Sequence, residues 1–209
     1  MFITTLFSDP RTFAALTLIV VFSVCLHEYM HAWAALKLGD PTAADNGHLT
    51  MNPFKQMGIL SIVMLLLIGL AWGQVPVNPE NLNSKLKRIA VALAGVAGNF
   101  LLSVCFAVLA FFTIMHLPHQ EFAINMLIHA AVINLVLLCI NIMPVPGLDG
   151  FNVVREFIKI NTQKAAEAAN VFFFILTMVL FFNIDKITVF SMRQVEAFLI
   201  FLIKLQQGA

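Results

Sequence analysis

The chain has 209 residues, 60% of them hydrophobic and 11% charged, with a formal net charge of +1 and a mean hydropathy of +0.91. A water-soluble domain of this length has no use for so much apolar surface, so the composition implies a polytopic membrane protein. The small net charge argues against a nucleic-acid partner. At the N-terminus, MFITTLFSDPRTF lacks a basic n-region and a small-residue cleavage site, so the first helix is expected to stay in the membrane.

Residues 12–36, TFAALTLIVVFSVCLHEYMHAWAAL, have the length a membrane-spanning helix needs, about 20 residues. Yet His27, Glu28 and His31 lie inside this span, and ionisable side chains at membrane depth are expensive enough to imply a function. They form H-E-x-x-H. Residues four apart share a helix face, so His27 and His31 can hold one metal ion from a rigid backbone. Glu28 stands about 100° further round the helix, within reach of a water on that metal.

Gly39, Asp40 and Pro41 end the first span. The polar stretch 42–57 contains the turn signal Asn46-Gly47, and the GHLTM that follows reads as a short strand. Residues 58–72 are apolar but number only 15. As helix they cover about 22 Å, short of the ~30 Å bilayer core. The proline-rich, then basic stretch 73–88 leads to a second full span, 89–115, where Ala94, Gly95, Ala97 and Gly98 permit close approach of another element. A third span, 122–143, ends at Pro144. After PVPGLDG comes a polar, partly helical stretch to residue 167. Residues 168–184 are a fourth, shorter candidate span, and 189–205 read as either an interfacial helix or a span. Cys25, Cys105 and Cys139 sit in apolar runs without metal-ligand spacing and read as small core residues.

The short segment decides the topology. If 58–72 enters the membrane and returns, then Lys37, Lys55, Lys85, Lys87, Arg88, Arg155, Lys159 and Lys164 share one face, with Arg11, Lys186 and Arg193 opposite. The positive-inside rule prefers this arrangement, with the basic face cytoplasmic. The first and third spans then run parallel, and Asp149, past the break at Pro144, Pro146 and Gly147, can reach the depth of the histidines.

Catalytic zinc commonly takes three protein ligands and leaves one position open. No acid lies in 58–79, and Asp40 and Asp45 follow the first helix too closely to turn back easily. Asp149 in PVPGLDG is the best acid left, although an Asp-Gly pair is equally a turn signal.

HEYMH at 27–31 and N-I-M-P-V-P-G-L-D-G at 141–150 together resemble the site-2 proteases, intramembrane zinc metalloproteases, particularly their compact bacterial branch. GHLTMNP, the PVNP of 76–79 and the AGVAGN of 94–99 are similar to further family features, and the match covers roughly 20–155. Val96 stands where the family usually has proline, Gln56-Met57-Gly58-Ile59 where it has His-Ile-Asp-Pro, and His48 where arginine is often seen.

The resemblance implies His27, His31 and Asp149 as ligands of one catalytic Zn2+ and Glu28 as general base. Asn141, one of the matched motif residues, is the candidate oxyanion donor, ahead of Asn134 and Asn99; all three could equally hydrogen-bond between helices. Its partners would be the lipid bilayer and a transmembrane protein substrate, its location the bacterial inner membrane with the site toward the cytoplasm.

The expected fold is an all-α polytopic membrane protein: a bundle of about 4–5 transmembrane helices with a re-entrant segment and short membrane-associated β-strands. It forms one domain, 1–209, with a catalytic core at about 12–155 and C-terminal helices at 165–205. Strand addition at 47–52 or 74–79 would hold an unwound substrate. Two other readings are a metal transporter or sensor, because His and Asp also line ion paths, and a proteolytically silent scaffold.

Overall fold

The computed structural model describes residues 3–158, 172–179 and 182–208. Lys159 and Lys164, the stretch to 167 and parts of 168–184 lie outside the described residues. The elements are α1 (Thr4–Ser8), α2 (Pro10–Leu38), α3 (Thr42–Asp45), α4 (Pro53–Gln56), α5 (Gly58–Ile68), α6 (Lys85–His116), α7 (Glu121–Asn141), α8 (Asp149–Arg155), α9 (Phe172–Val179) and α10 (Ile184–Gln207). α2, α6 and α7 are long and apolar enough to cross a membrane, and α9 with α10, bent by 56°, make a fourth span if counted as one. The helical membrane bundle is thus present with three to four such spans among the described residues.

Local chemistry sets the ends of α2. Asp9 caps it by accepting from the Thr12 N–H at 3.0 Å, and Pro10 opens it with φ already helical. Gly39 closes it in the left-handed region at φ 110°, its N–H returning to Ala35 and Leu36. Ser84 caps α6 through the Lys87 N–H.

The start of α6 lies beside the end of α2, where Ala34 and Ala35 pack with Leu82 and Val91. The chain between them therefore leaves and returns at one end of the bundle. It does so by doubling back after α5. Trp72 donates its N–H to the Ser61 hydroxyl and accepts from it at its carbonyl, while the Gln74 N–H reaches the Gln56 carbonyl at 3.0 Å. This is the out-and-back path expected of 58–72.

Gly98 permits the tight α2–α6 crossing, since a Cβ there would stand 2.9 Å from Met30 Cγ. Val24 and Cys25 of α2 pack with Met57 and Leu65 below the hairpin. Ala107 and Ala110 of α6, Ala131 and Val132 of α7, and Val195 and Leu199 of α10 form the other core.

Two expectations are corrected. No β-strand occurs among the described residues, and GHLTM runs from a turn at Gly47 into an irregular bend. The buried Gln56 amide takes the carbonyls of His48 and Thr50 at 2.8 and 2.7 Å, so those groups cannot join a ladder, and Pro53 opens α4 at once. Lys186 is not opposite the basic face. It lines one cavity with Cys139, Ile142 and Met143, at the end of α7 that leads to Asp149. Phe173 of α9 meets Phe151 of α8 at the same end, 4.8 Å between ring centres.

Candidate metal centre

Helical periodicity alone brings His27 and His31 together: their rings meet edge to face, and their Nε2 atoms are 3.0 Å apart. The third group comes from a break in the chain. α7 stops at Asn141, Gly147 adopts φ 90°, and α8 begins at Asp149 after an extended Leu148. Gly150 is required there, because a Cβ would fall 2.6 Å from the Met143 carbonyl oxygen and closer still to that of Ile142. Asp149 Oδ2 stands 3.1 Å from His27 Nε2, and Oδ1 stands 3.2 Å from His31 Nε2.

These groups fit a metal ion better than they fit one another. Each histidine directs Nδ1 at an oxygen: His27 at Asn99 Oδ1 (2.6 Å) and His31 at the Val91 carbonyl (2.8 Å). Donation from Nδ1 leaves both Nε2 atoms as lone pairs, facing each other and a carboxylate. Asp149 Oδ2 is correspondingly buried without a hydrogen bond. With both rings neutral, three such acceptors converge favourably when a cation lies between them. Ligand atoms around tetrahedral zinc at ~2.0–2.1 Å stand about 3.3 Å apart, close to the 3.0–3.2 Å seen here.

Glu28 is buried beside them, 8% exposed, and lines the same cavity of about 690 Å³. The returning segment crosses over it. A Cβ at Gly73 would lie 2.6 Å from Glu28 Oε1, so any larger residue there would force the Glu28 side chain to move. Gly73, Val75 and Val77 line the cavity, and their N–H groups donate no hydrogen bond among the described residues.

Gly95 closes the opposite wall, where a Cβ would come within 2.6 Å of His27 Nε2 and closer still to His31 Nε2. Gly95→Ala is therefore expected to lower zinc affinity at least tenfold while the helices persist; chelator competition and circular dichroism check it.

The surroundings tie these pieces down. Arg88 of α6 grips Glu156 at both oxygens, 2.9 and 2.8 Å, fixing the end of α8 beyond Asp149. Those guanidinium hydrogen bonds hold the Glu156 carboxyl below its ordinary range. Asp40 is a buried hub, accepting from the Thr42 hydroxyl and N–H, the Asn81 amide and the Asn78 N–H. Burial pushes its carboxyl up, but these four donors outweigh it and hold the group below the usual range.

Asn141 lines the cavity, with one amide hydrogen on the Leu137 carbonyl. Asn99 and Asn134 instead bond to each other and to α2, so the inter-helix alternative describes them. His129 bonds back to the Asn125 carbonyl, and His116 and His119 are exposed, away from the centre. Among the described residues no other His/Cys/Asp/Glu group is placed to hold a metal.

The model of peptidase family M50 matches residues 114–182. The chain is 31% identical over 180 residues to YwhC of Bacillus subtilis, whose name provisionally calls it a zinc metalloprotease; the match covers 81% of this chain and 80% of that protein. Rip2 of Mycobacterium tuberculosis H37Rv, similarly named, is 30% identical over 184 residues, 83% of this chain and 70% of its own. Rip2 of Mycolicibacterium smegmatis is 29% identical over 184 residues, 82% and 69%. No solved structure matches the chain.

Proposed function

The chain belongs to peptidase family M50, the site-2 proteases, and from that membership we propose a zinc-dependent endopeptidase that cuts substrate proteins within or beside their transmembrane segments. The supporting observation is the convergence of His27 Nε2, His31 Nε2 and the Asp149 carboxylate beside buried Glu28, in a cavity among the spanning helices. A transporter would need further ligands along a path, and the described residues offer one cluster.

His27, His31 and Asp149 would hold the ion. Zinc bound there would lower the pKa of a coordinated water toward ~7 and polarise the scissile carbonyl. Glu28 would act as the general base, holding a proton of the attacking water and passing it to the leaving amine. Asn141, whose amide keeps a second hydrogen, donates to the carbonyl oxygen as negative charge develops. A substrate helix has its carbonyls internally bonded and must unwind first. The vacant N–H groups of Gly73, Val75 and Val77 are placed along the cavity to receive the unwound segment by main-chain pairing.

The whole of 1–209 acts as one membrane domain, its core at about 12–155. By the positive-inside rule, the basic residues Lys37, Lys55, Lys85, Lys87, Arg88 and Arg155 around the metal-bearing end support a cytoplasmic orientation of that end, with the α5 hairpin as a re-entrant element.

The test is cleavage of a labelled peptide with one transmembrane segment, co-reconstituted with the purified protein in lipid vesicles. Cleavage that stops with 1,10-phenanthroline and returns with zinc is expected. Cleavage indifferent to chelation would overturn the reading.

A further inference from the structure

We infer that Asn134 and Asn99 form a one-way amide relay, anchored on a backbone carbonyl of α7, that fixes the tautomer of His27 and so aims its lone pair at the metal. The inference rests on the metal reading above and concerns how this chain prepares that ligand.

The argument starts at the far end. Asn134 Nδ2 lies 2.9 Å from the Ala130 carbonyl and 2.9 Å from Ser23 Oγ. A carbonyl can only accept, so the Asn134 amide must present its NH2 there and its Oδ1 the other way. That Oδ1 faces the Asn99 amide at 3.0 Å and must accept in turn. Asn99 therefore spends its NH2 on Asn134 and turns Oδ1 toward His27 Nδ1, 2.6 Å away. His27 Nδ1 therefore carries a hydrogen, and in the neutral ring that a metal requires this leaves Nε2 bare.

Three helices close this circuit, because Ser23 lies one turn before His27 on α2, with Asn99 on α6 and Asn134 on α7. Ser23, Asn99 and Asn134 are each 0% exposed, so no solvent can reverse a link. His31 reaches the same state by a different route, directly from the Val91 carbonyl, which makes it an internal control. Asn99 and Asn134 are positioning residues. Partners of this kind are worth roughly 10–100-fold in metal affinity.

The experiment reads the tautomer itself. Protein labelled with 15N-histidine, stripped of zinc and held in lipid, is compared with Asn99→Leu and Asn99→Asp by nitrogen NMR, and zinc affinity is measured by chelator competition. In the wild type both histidines show Nδ1 protonated. Asn99→Leu is expected to release His27 into the other tautomer and weaken zinc binding about 10–100-fold, with His31 unchanged. Asn99→Asp keeps an acceptor for Nδ1 and is expected to preserve both signals, even with a lower Tm.

If Asn99→Leu does not fold, Asn134→Leu removes the anchor one step further away and gives the same readout. Unaltered His27 signals with unaltered zinc affinity in the folded leucine variant would overturn the relay. Equal disturbance of His31 would also overturn it, by showing a general structural effect. Should the wild type bind no zinc, the protease reading fails, while the nitrogen signature of the zinc-free protein still decides the relay.

Discussion

Glu28→Gln is expected to reduce cleavage by roughly 10²–10⁴-fold while zinc content stays at its wild-type level. Glutamine keeps the length and shape of the side chain, which matters where the Gly73 backbone lies directly over it. What it loses is the capacity to take a proton at Oε1 or Oε2. Glu28 is not among the three groups whose ligand atoms converge, so its replacement leaves His27, His31 and Asp149 in place. The loss should appear in kcat more than in KM, because binding along residues 73–77 uses main-chain groups that the substitution does not touch. Elemental analysis beside a cleavage assay in vesicles reads both quantities. Persistent cleavage would assign the proton transfer to another group. Joint loss of zinc and cleavage would mean that Glu28 supports the metal rather than the reaction.

How much of this was legible in the chain depends on whether the chemistry is local. The pairing of His27 with His31 follows from four-residue spacing on one helix, and the length of 58–72 foretold a segment that turns back. Asp149 was different. Its approach depends on the break after Asn141, the left-handed Gly147 and the need for glycine at 150, none of which spacing alone distinguishes from an ordinary Asp-Gly turn.

The strand expected at GHLTM failed because its alternating pattern was satisfied by a side chain: Gln56, eight residues from His48, occupies the carbonyls a neighbouring strand would need. Asn99 was visible as a polar residue in a helix, but its partners lie 72 and 35 positions away, and only the packing of α2, α6 and α7 reveals them. Asp40 looked like a helix terminator and proved to be a hub. Its donors at 78 and 81 arrive from the far side of the α5 hairpin.

Asp149→Ala should remove zinc and cleavage together. The carboxylate is the only negatively charged member of the cluster, and it ties α8 to both histidines of α2 through one group, with Oδ2 toward His27 and Oδ1 toward His31. Partners behind a ligand cost about 10–100-fold in affinity, so deletion of a ligand should cost more than that. The two histidines would be left as opposed lone pairs 3.0 Å apart, an arrangement that becomes unfavourable without a cation.

The bundle itself should survive, because α8 remains tied to α6 by the Arg88–Glu156 pair and the main cores lie elsewhere. The expected result is near one zinc per chain in the wild type, clear loss in the variant, and similar helical content in both. Full zinc in Asp149→Ala would remove Asp149 from the centre and leave the third ligand to another oxygen in the cavity. Partial retention with cleavage abolished would place Asp149 on the ion without making it the main source of affinity. The two motifs, more than a hundred residues apart in sequence, act as one site only if both quantities fall.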